Sequence, residues 1–504
     1  MELNNLHELY APHPVVGVLS KMMQDSSVKT IFAGNLCASS AAVVASELYH
    51  RRVSHAFVYI LKDLEEAGYF YHDLTQMEGT ARILFFPSSF RRALKYGQRD
   101  AASEILRTEV LSEVQKLSEK KKKAEEGLPL VIVTYPEALC EKVISQNKLS
   151  EYTLQLSKGE KISIDFIAEV LRGYGFVKTD YVYEPGQFAQ RGSLVDVFSF
   201  ASEFPFRIDF FGDEVESIRT FEVETQLSRE KLTKIAIIPE LGSAVNEDSL
   251  VGFLEFLPKD AWIVATDFLE LHARMDSILS ETLSAQASVA ASEEGTEQVL
   301  LNRLLIQADQ FSKKLLDFRR LEIGNRPTGT PQFRVDFPYH PQPLFHKNFD
   351  LVSQSLRSYQ EKGYTLYICS DSTKQTTRLK DIFADRHDSI QFTPVNRTLH
   401  EGFIDDQLKV CFFTDHQIFD RFHKYSLRSD KARSGKLALS LKELNEFQIG
   451  DYVVHVDHGV GRFAGLVRIP QGDTTQEVIK LVYQNEDVVF VSIHSLHKVS
   501  KYKG

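Results

Sequence analysis

The feature that most constrains this fold is the spacing of short, almost unbroken apolar runs in the first third of the chain. Residues 30–33 (TIFA), 55–60 (HAFVYI), 81–86 (ARILFF) and 130–134 (LVIVT) have strand length. Helical stretches at 38–49 and 102–126 lie between them, and Pro136 opens another. Apolar strands alternating with helices predict a parallel sheet with crossover helices. The helix at 102–126 is strongly charged, with Lys120–Lys123 flanked by Glu119 and Glu125. The strand at 30–33 runs into Gly34, where a strand-to-helix phosphate loop would sit.

From about Lys148 the texture changes. A helix at 166–172 ends at Gly173, and short strands follow with turns at Pro185-Gly186, Gly192 and Gly212-Asp213. Residues 206–211 and 215–221 read as a hairpin around Gly-Asp. This is a small α+β module inserted in the α/β domain. The α/β pattern resumes with a helix at 250–256, a strand at 261–265 and helical apolar spacing over 295–320: Leu300, Leu304, Ala308, Phe311, Leu315 and Phe318. Residues 327–331 break it. Elements at 351–361, 365–369, 373–383 and 408–413 read as a second, small β/α domain. Residues 420–442 hold seven Lys or Arg against two Asp, the composition of an exposed linker. From Gly450, strands at 452–456, 461–467, 478–482 and 488–491, with a turn at 485–487, predict a small β-barrel. The expected organisation is 1–147 and 239–340 as one α/β domain, 148–238 inserted, 341–422 the small β/α domain, 423–442 the linker and 443–504 the barrel.

Several function classes are disfavoured. The 504 residues suggest about three to five domains. A net charge of −10 argues against a surface built throughout for polyphosphate, so protein partners are expected first. Cys37, Cys140, Cys369 and Cys411 are far apart in sequence, which fits a reducing cytosol and disfavours a zinc knuckle. The start does not read as a signal peptide, and no run approaches the roughly 18 apolar residues of a membrane span.

A working phosphate loop needs G-x-x-x-x-G-K-S/T. After Gly34 the three diagnostic positions hold Ser39, Ser40 and Ala41, so the second Gly, the Lys and the magnesium hydroxyl are missing and no nucleotide binding is expected. Asp196, Asp209, Asp213 and Glu214 read as turn formers and polar strand faces rather than a metal or nuclease cluster. His455, Asp457, His458, His494 and His497 read as surface or loop residues rather than zinc ligands. Arg191 and Arg207 lie among Phe188, Phe198, Phe206 and Phe211, the composition of a protein-binding hot spot or of an ordinary amphipathic strand face. The terminal module carries seven basic and eight acidic side chains from Leu441 onward, which favours strand addition to a protein partner over phosphate binding.

The stretches EPGQFAQRGSLVDVF (184–198) and PFRIDFFGDEVESIRTFEVETQLS (205–228) closely resemble the second domain of UvrB and of the bacterial transcription-repair coupling factors. IGDYVVHVDHGVGRFAGL (449–466) and SLHKVSKYKG (495–504) resemble the polymerase-interacting barrel of the coupling factors, and 346–372 and LHEGF (399–403) the domain before it. The degenerate loop and the barrel favour the coupling factors over UvrB, a nucleotide-dependent helicase subunit. The resemblance implies a UvrB-like parallel-sheet domain with an inserted UvrA-binding module, the small β/α domain, and an SH3- or Tudor-like barrel. It implies UvrA contacts at Arg191, Arg207 and Phe211, and an apolar contact to the RNA polymerase β subunit at Ile469. ATP, Mg²⁺ and double-stranded DNA are implied only for motor domains that would follow Gly504, so this part is expected to need no cofactor, to be no enzyme and to work in the cytoplasm. A rival reading makes residues 421–442 a DNA-binding segment.

Overall fold

The computed structural model describes residues 2–89, 101–120, 127–223, 225–241, 249–290, 304–421, 423, 449–455, 458–471, 474–483, 487–492 and 499–502. It is mixed α/β, with one parallel sheet and several smaller sheets. Two units divide it: residues 1–150 with 245–427, and 151–244 with 428–504. Among the described residues, no helix is long and apolar enough to cross a membrane.

The first unit is built on the predicted parallel sheet, which has seven strands. Their order is Phe333–Asp336, Thr30–Gly34, Arg319–Gly324, Trp262–Ala265, Ala56–Ile60, Leu130–Thr134 and Ile83–Phe85. Ala56–Ile60 and Leu130–Thr134 are buried at every position, which is why both read as unbroken apolar runs. Removing one such Leu, Ile or Phe side chain from water stabilises the fold by about 1.5–3 kcal/mol. Helix Leu64–Glu78 starts where the Asp63 carboxylate accepts the Glu65 and Glu66 N–H groups.

Two sequence expectations are corrected here. Of the helix expected over 295–320, residues 295–303 lie outside the described residues; Leu304 and Ala308–Leu315 are helical, 305–307 interrupt the helix, and Arg319–Gly324 is a central strand. Its Arg-Arg-Leu-Glu-Ile sequence looks too polar for that place, but both edges are hydrogen bonded, to Thr30–Gly34 and to Trp262–Ala265. The helix expected at 250–256 is confined to Phe253–Phe256, because Leu250–Val251 pairs with Val143–Ile144. Leu300, Lys121–Lys123, Asp457, His494, His497, most of the 485–487 turn and all of the 423–442 linker except His423 lie outside the described residues.

A second, five-stranded sheet in this unit orders Tyr339–Pro341, Phe403–Asp405, Val410–Thr414, Thr365–Ser370 and Thr393–Asn396. Helices Phe349–Glu361 and Thr373–Asp385 supply Val352, Leu356, Leu379 and Phe383 to its core, against Ile368 and Phe413.

The second unit contains a six-stranded sheet, ordered Ser228–Leu232, Glu214–Phe221, Phe206–Phe211, Leu194–Val197, Gln187–Arg191 and Val177–Lys178. All neighbours are antiparallel except the last pair. One face packs on helix Ile164–Gly173: Ile167, Ala168 and Leu171 meet Phe188, Val195, Val197, Ile208 and Phe210. The turns Gly192-Ser193 and Gly212-Asp213 are two residues long, and φ of 57° and 61° at their glycines is a conformation that other residues adopt at a cost. The unit also holds a five-stranded antiparallel sheet, ordered Val488–Ser492, Thr474–Val482, Gly459–Gln471, Tyr452–His455 and Val499–Lys501. Val453, Phe463, Ile479, Leu481, Val491 and Val499 form its core.

Candidate functional site

Strand alternation places the two sequence-selected arginines. In Phe206–Phe211, Phe206, Ile208 and Phe210 face the main core, so Arg207 projects from the opposite face. Arg207 pairs across the sheet with Asp196, which pairs in turn with Ala189, two residues before Arg191. Both guanidiniums converge on Asp196, whose side chain is only 1% exposed. Arg207 donates from Nε to Oδ1 and from Nη2 to Oδ2, both at 2.8 Å, and Arg191 Nη2 also donates to Oδ2.

Main-chain carbonyls and rings complete the arrangement. Arg207 Nη1 donates to the Gln226 carbonyl at 3.0 Å, and Arg191 Nη1 to the Asp180 carbonyl at 2.7 Å. The Arg207 guanidinium lies 4.3 Å from the centre of the Phe221 ring, and that of Arg191 4.7 Å from Tyr181. The hydrogen bonds to Asp196 hold Arg207 above its ordinary pKa range, against the opposing effect of burial. The Arg191 side chain is 32% exposed and that of Arg207 14%. The result is a partly exposed cationic surface with fixed guanidinium planes.

Phe211 stands apart in character. A bulge between Asp209 and Phe210 shifts the register at the end of the hairpin, and Phe211 is 81% exposed. Phe188, Phe198 and Phe206 are all buried. Ile469 lies in Gly459–Gln471, opposite Gln476.

The family model of the UvrB interaction domain matches residues 154–241, and that of the CarD-like/TRCF RID domain matches residues 447–503. Curated relatives named transcription-repair-coupling factor include proteins from Staphylococcus aureus and Staphylococcus haemolyticus, each 23% identical to this chain over 70% of its length. This chain is similar to the transcription-repair-coupling factors. It spans 36% of the length of each of those relatives. The arginine pair and Phe211 lie in the stretch matched to the UvrB interaction domain, and Ile469 in the stretch matched to the RID domain.

In the first unit, the loop after Gly34 meets another segment of the same unit. The Ser39 hydroxyl accepts the Glu401 N–H at 2.9 Å, and the Ser39 N–H reaches the Glu401 carbonyl. Ser40 bonds back to Cys37 and begins helix Ser40–His50, which includes Ala41. Beside them, Asp73 accepts the His400 N–H at 2.8 Å, and burial pushes its carboxyl up to about 7. Tyr69 stacks on His400 with ring centres 3.4 Å apart.

Among the described residues, no group of three or more His, Cys, Asp or Glu could hold a metal ion. Of the four acids considered from sequence, Asp196 organises the arginines. Asp209 accepts from Ser193 and lies 3.6 Å from Arg219, while Asp213 and Glu214 belong to the hairpin end. Sequence reading missed Asp196 as a partner of both arginines. The available signal was its place in a Leu-Val-Asp-Val strand, where the neighbouring valines take the core face.

Proposed function

We propose that this chain couples transcription to nucleotide-excision repair as an adaptor, taking UvrA on the 154–241 module and the β subunit of stalled RNA polymerase on the 447–503 module. The observation that carries this reading is the occurrence of both matched domains in one chain. Holding both partners raises the local concentration of UvrA at the stalled complex through linkage alone. On the UvrA side, Arg191 and Arg207 engage acidic groups and Phe211 is the apolar anchor. On the polymerase side the terminal sheet is an SH3- or Tudor-like barrel that adds a strand to the partner, with Ile469 as an apolar contact.

The loop at Gly34, Ser39, Ser40 and Ala41 is a degenerate P-loop that binds no nucleotide; the hydrogen bonds between Ser39 and Glu401 support this. ATP-dependent movement on double-stranded DNA, with its ATP and Mg²⁺, is assigned to motor domains outside this chain, which itself acts in the cytoplasm and catalyses no reaction. The test is a pull-down of the chain with purified UvrA and with purified polymerase β subunit, each alone. Retention of both is expected, and failure to retain either one overturns the adaptor reading.

A further inference from the structure

We infer that Asp196 is a positioning residue of the UvrA-facing surface: its buried carboxylate holds Arg191 and Arg207 in one fixed orientation before any partner arrives. This deepens the proposed function and rests on the reading that the two arginines face UvrA.

Two guanidiniums close together repel, and each sits on a long side chain with many rotamers. Association costs free energy for each such side chain that must be immobilised. Here much of that ordering is already present in the free chain. Asp196 accepts two parallel bonds from Arg207 and a third from Arg191. One negative charge against two positive charges leaves the group net cationic, so it remains attractive to an acidic partner. The carboxylate itself cannot contact that partner, because its side chain is 1% exposed. Its action is therefore through the arginines.

The surrounding contacts point the same way. The Asp180 and Gln226 carbonyls each take one more guanidinium N–H, and Tyr181 and Phe221 lie against the two guanidinium planes. Gln226 adopts a φ of 57°, unusual for a residue other than glycine, and the turn it forms brings its carbonyl to Arg207. Leu227, directly after it, is 68% exposed, and Tyr181 is 43% exposed. Each carbonyl that holds a cation is thus followed in sequence by an exposed apolar side chain, Tyr181 after Asp180 and Leu227 after Gln226, the mixture that protein-binding hot spots favour.

The experiment measures equilibrium affinity of the full chain for UvrA, with circular dichroism and thermal melting on every variant. Asp196→Asn keeps the shape and removes the charge. It is expected to stay folded and bind UvrA roughly tenfold more weakly, the size of losing preorganisation at two side chains. Asp196→Glu, which restores the carboxylate one methylene further out, is expected to recover part of that loss. Arg191→Gln with Arg207→Gln is expected to weaken binding more than Asp196→Asn, and adding Asp196→Asn to that pair to weaken it no further, because the residue acts only through the arginines. If Asp196→Asn binds like the parent, or its loss adds in full to that of the arginine pair, the positioning role is overturned. If the arginine-pair variant binds UvrA like the parent, the underlying site reading fails as well.

Discussion

Arg207 and Phe211 lie on one strand, yet the structure uses them in opposite ways. Arg207 is held on three sides, by Asp196, Gln226 and Phe221, whereas Phe211 is 81% exposed beyond the bulge. Phe211→Ala should therefore change stability by no more than about 0.5 kcal/mol, as is usual for an exposed position. It should weaken UvrA binding by about 1–3 kcal/mol if Phe211 is the anchor. Thermal melting and equilibrium binding on the same preparation separate the two effects, and unchanged affinity would remove Phe211 from the site. A second residue-scale prediction concerns His400. Burial, followed by the charges of His423, His416 and His72, lowers its pKa from 6.5 to about 4. The unfolded chain therefore takes up this proton first as pH falls. The stability tied to neutral His400 is complete above about pH 6.5 and is lost as pH falls towards about 4. Asp73 and Glu401, whose carboxyl pKa values are raised, act in the opposite direction, so the comparison must be a difference. His400→Gln should show a smaller drop in thermal midpoint between pH 7 and pH 5 than the parent, and an equal drop would refute the assignment.

At the scale of elements, the segment at 398–402 shows how one short stretch ties two sheets together within the first unit. His400 N–H reaches Asp73, Glu401 meets Ser39, and the Gly402 carbonyl accepts the Gln342 N–H at 2.9 Å. Gly402 is tightly enclosed: a Cβ there would lie 2.5 Å from the Phe412 carbonyl oxygen and against the Gln342 side-chain oxygen. That side-chain oxygen also accepts the Thr414 N–H at 2.8 Å. Gly402→Ala should consequently destabilise the fold by about 1–3 kcal/mol, as overpacking does, read as a lowered midpoint in denaturant titration. The LHEGF motif was visible in sequence, but its contacts with Ser39 and Asp73 span more than 300 residues and left no local signal. The same reason hid Arg319–Gly324, whose central place is fixed by two distant strands rather than by its own composition.

For the whole molecule, the two matched stretches are separated by some 200 residues and have their own apolar cores. A chain lacking residues 447–503 should lose retention by polymerase β. Its affinity for UvrA should stay within about twofold, as expected for independent sites. Titration calorimetry with UvrA checks this, and a large loss of UvrA affinity would show that the modules are not independent.

The sequence by itself determined the parallel sheet, the Gly192 and Gly212 turns, and the candidate residues Arg191, Arg207 and Phe211. Apolar periodicity and turn glycines act over a few residues, and the motifs are contiguous. The tertiary structure decided what surrounds those residues. Whether an aspartate in a strand is a polar face or a buried clamp depends on which strands lie beside it, and cross-strand pairing put Asp196 between Arg191 and Arg207. Strand alternation by itself turns Phe211 away from the core that buries Phe206, Ile208 and Phe210, whereas the register shift at the end of its hairpin is a matter of cross-strand pairing.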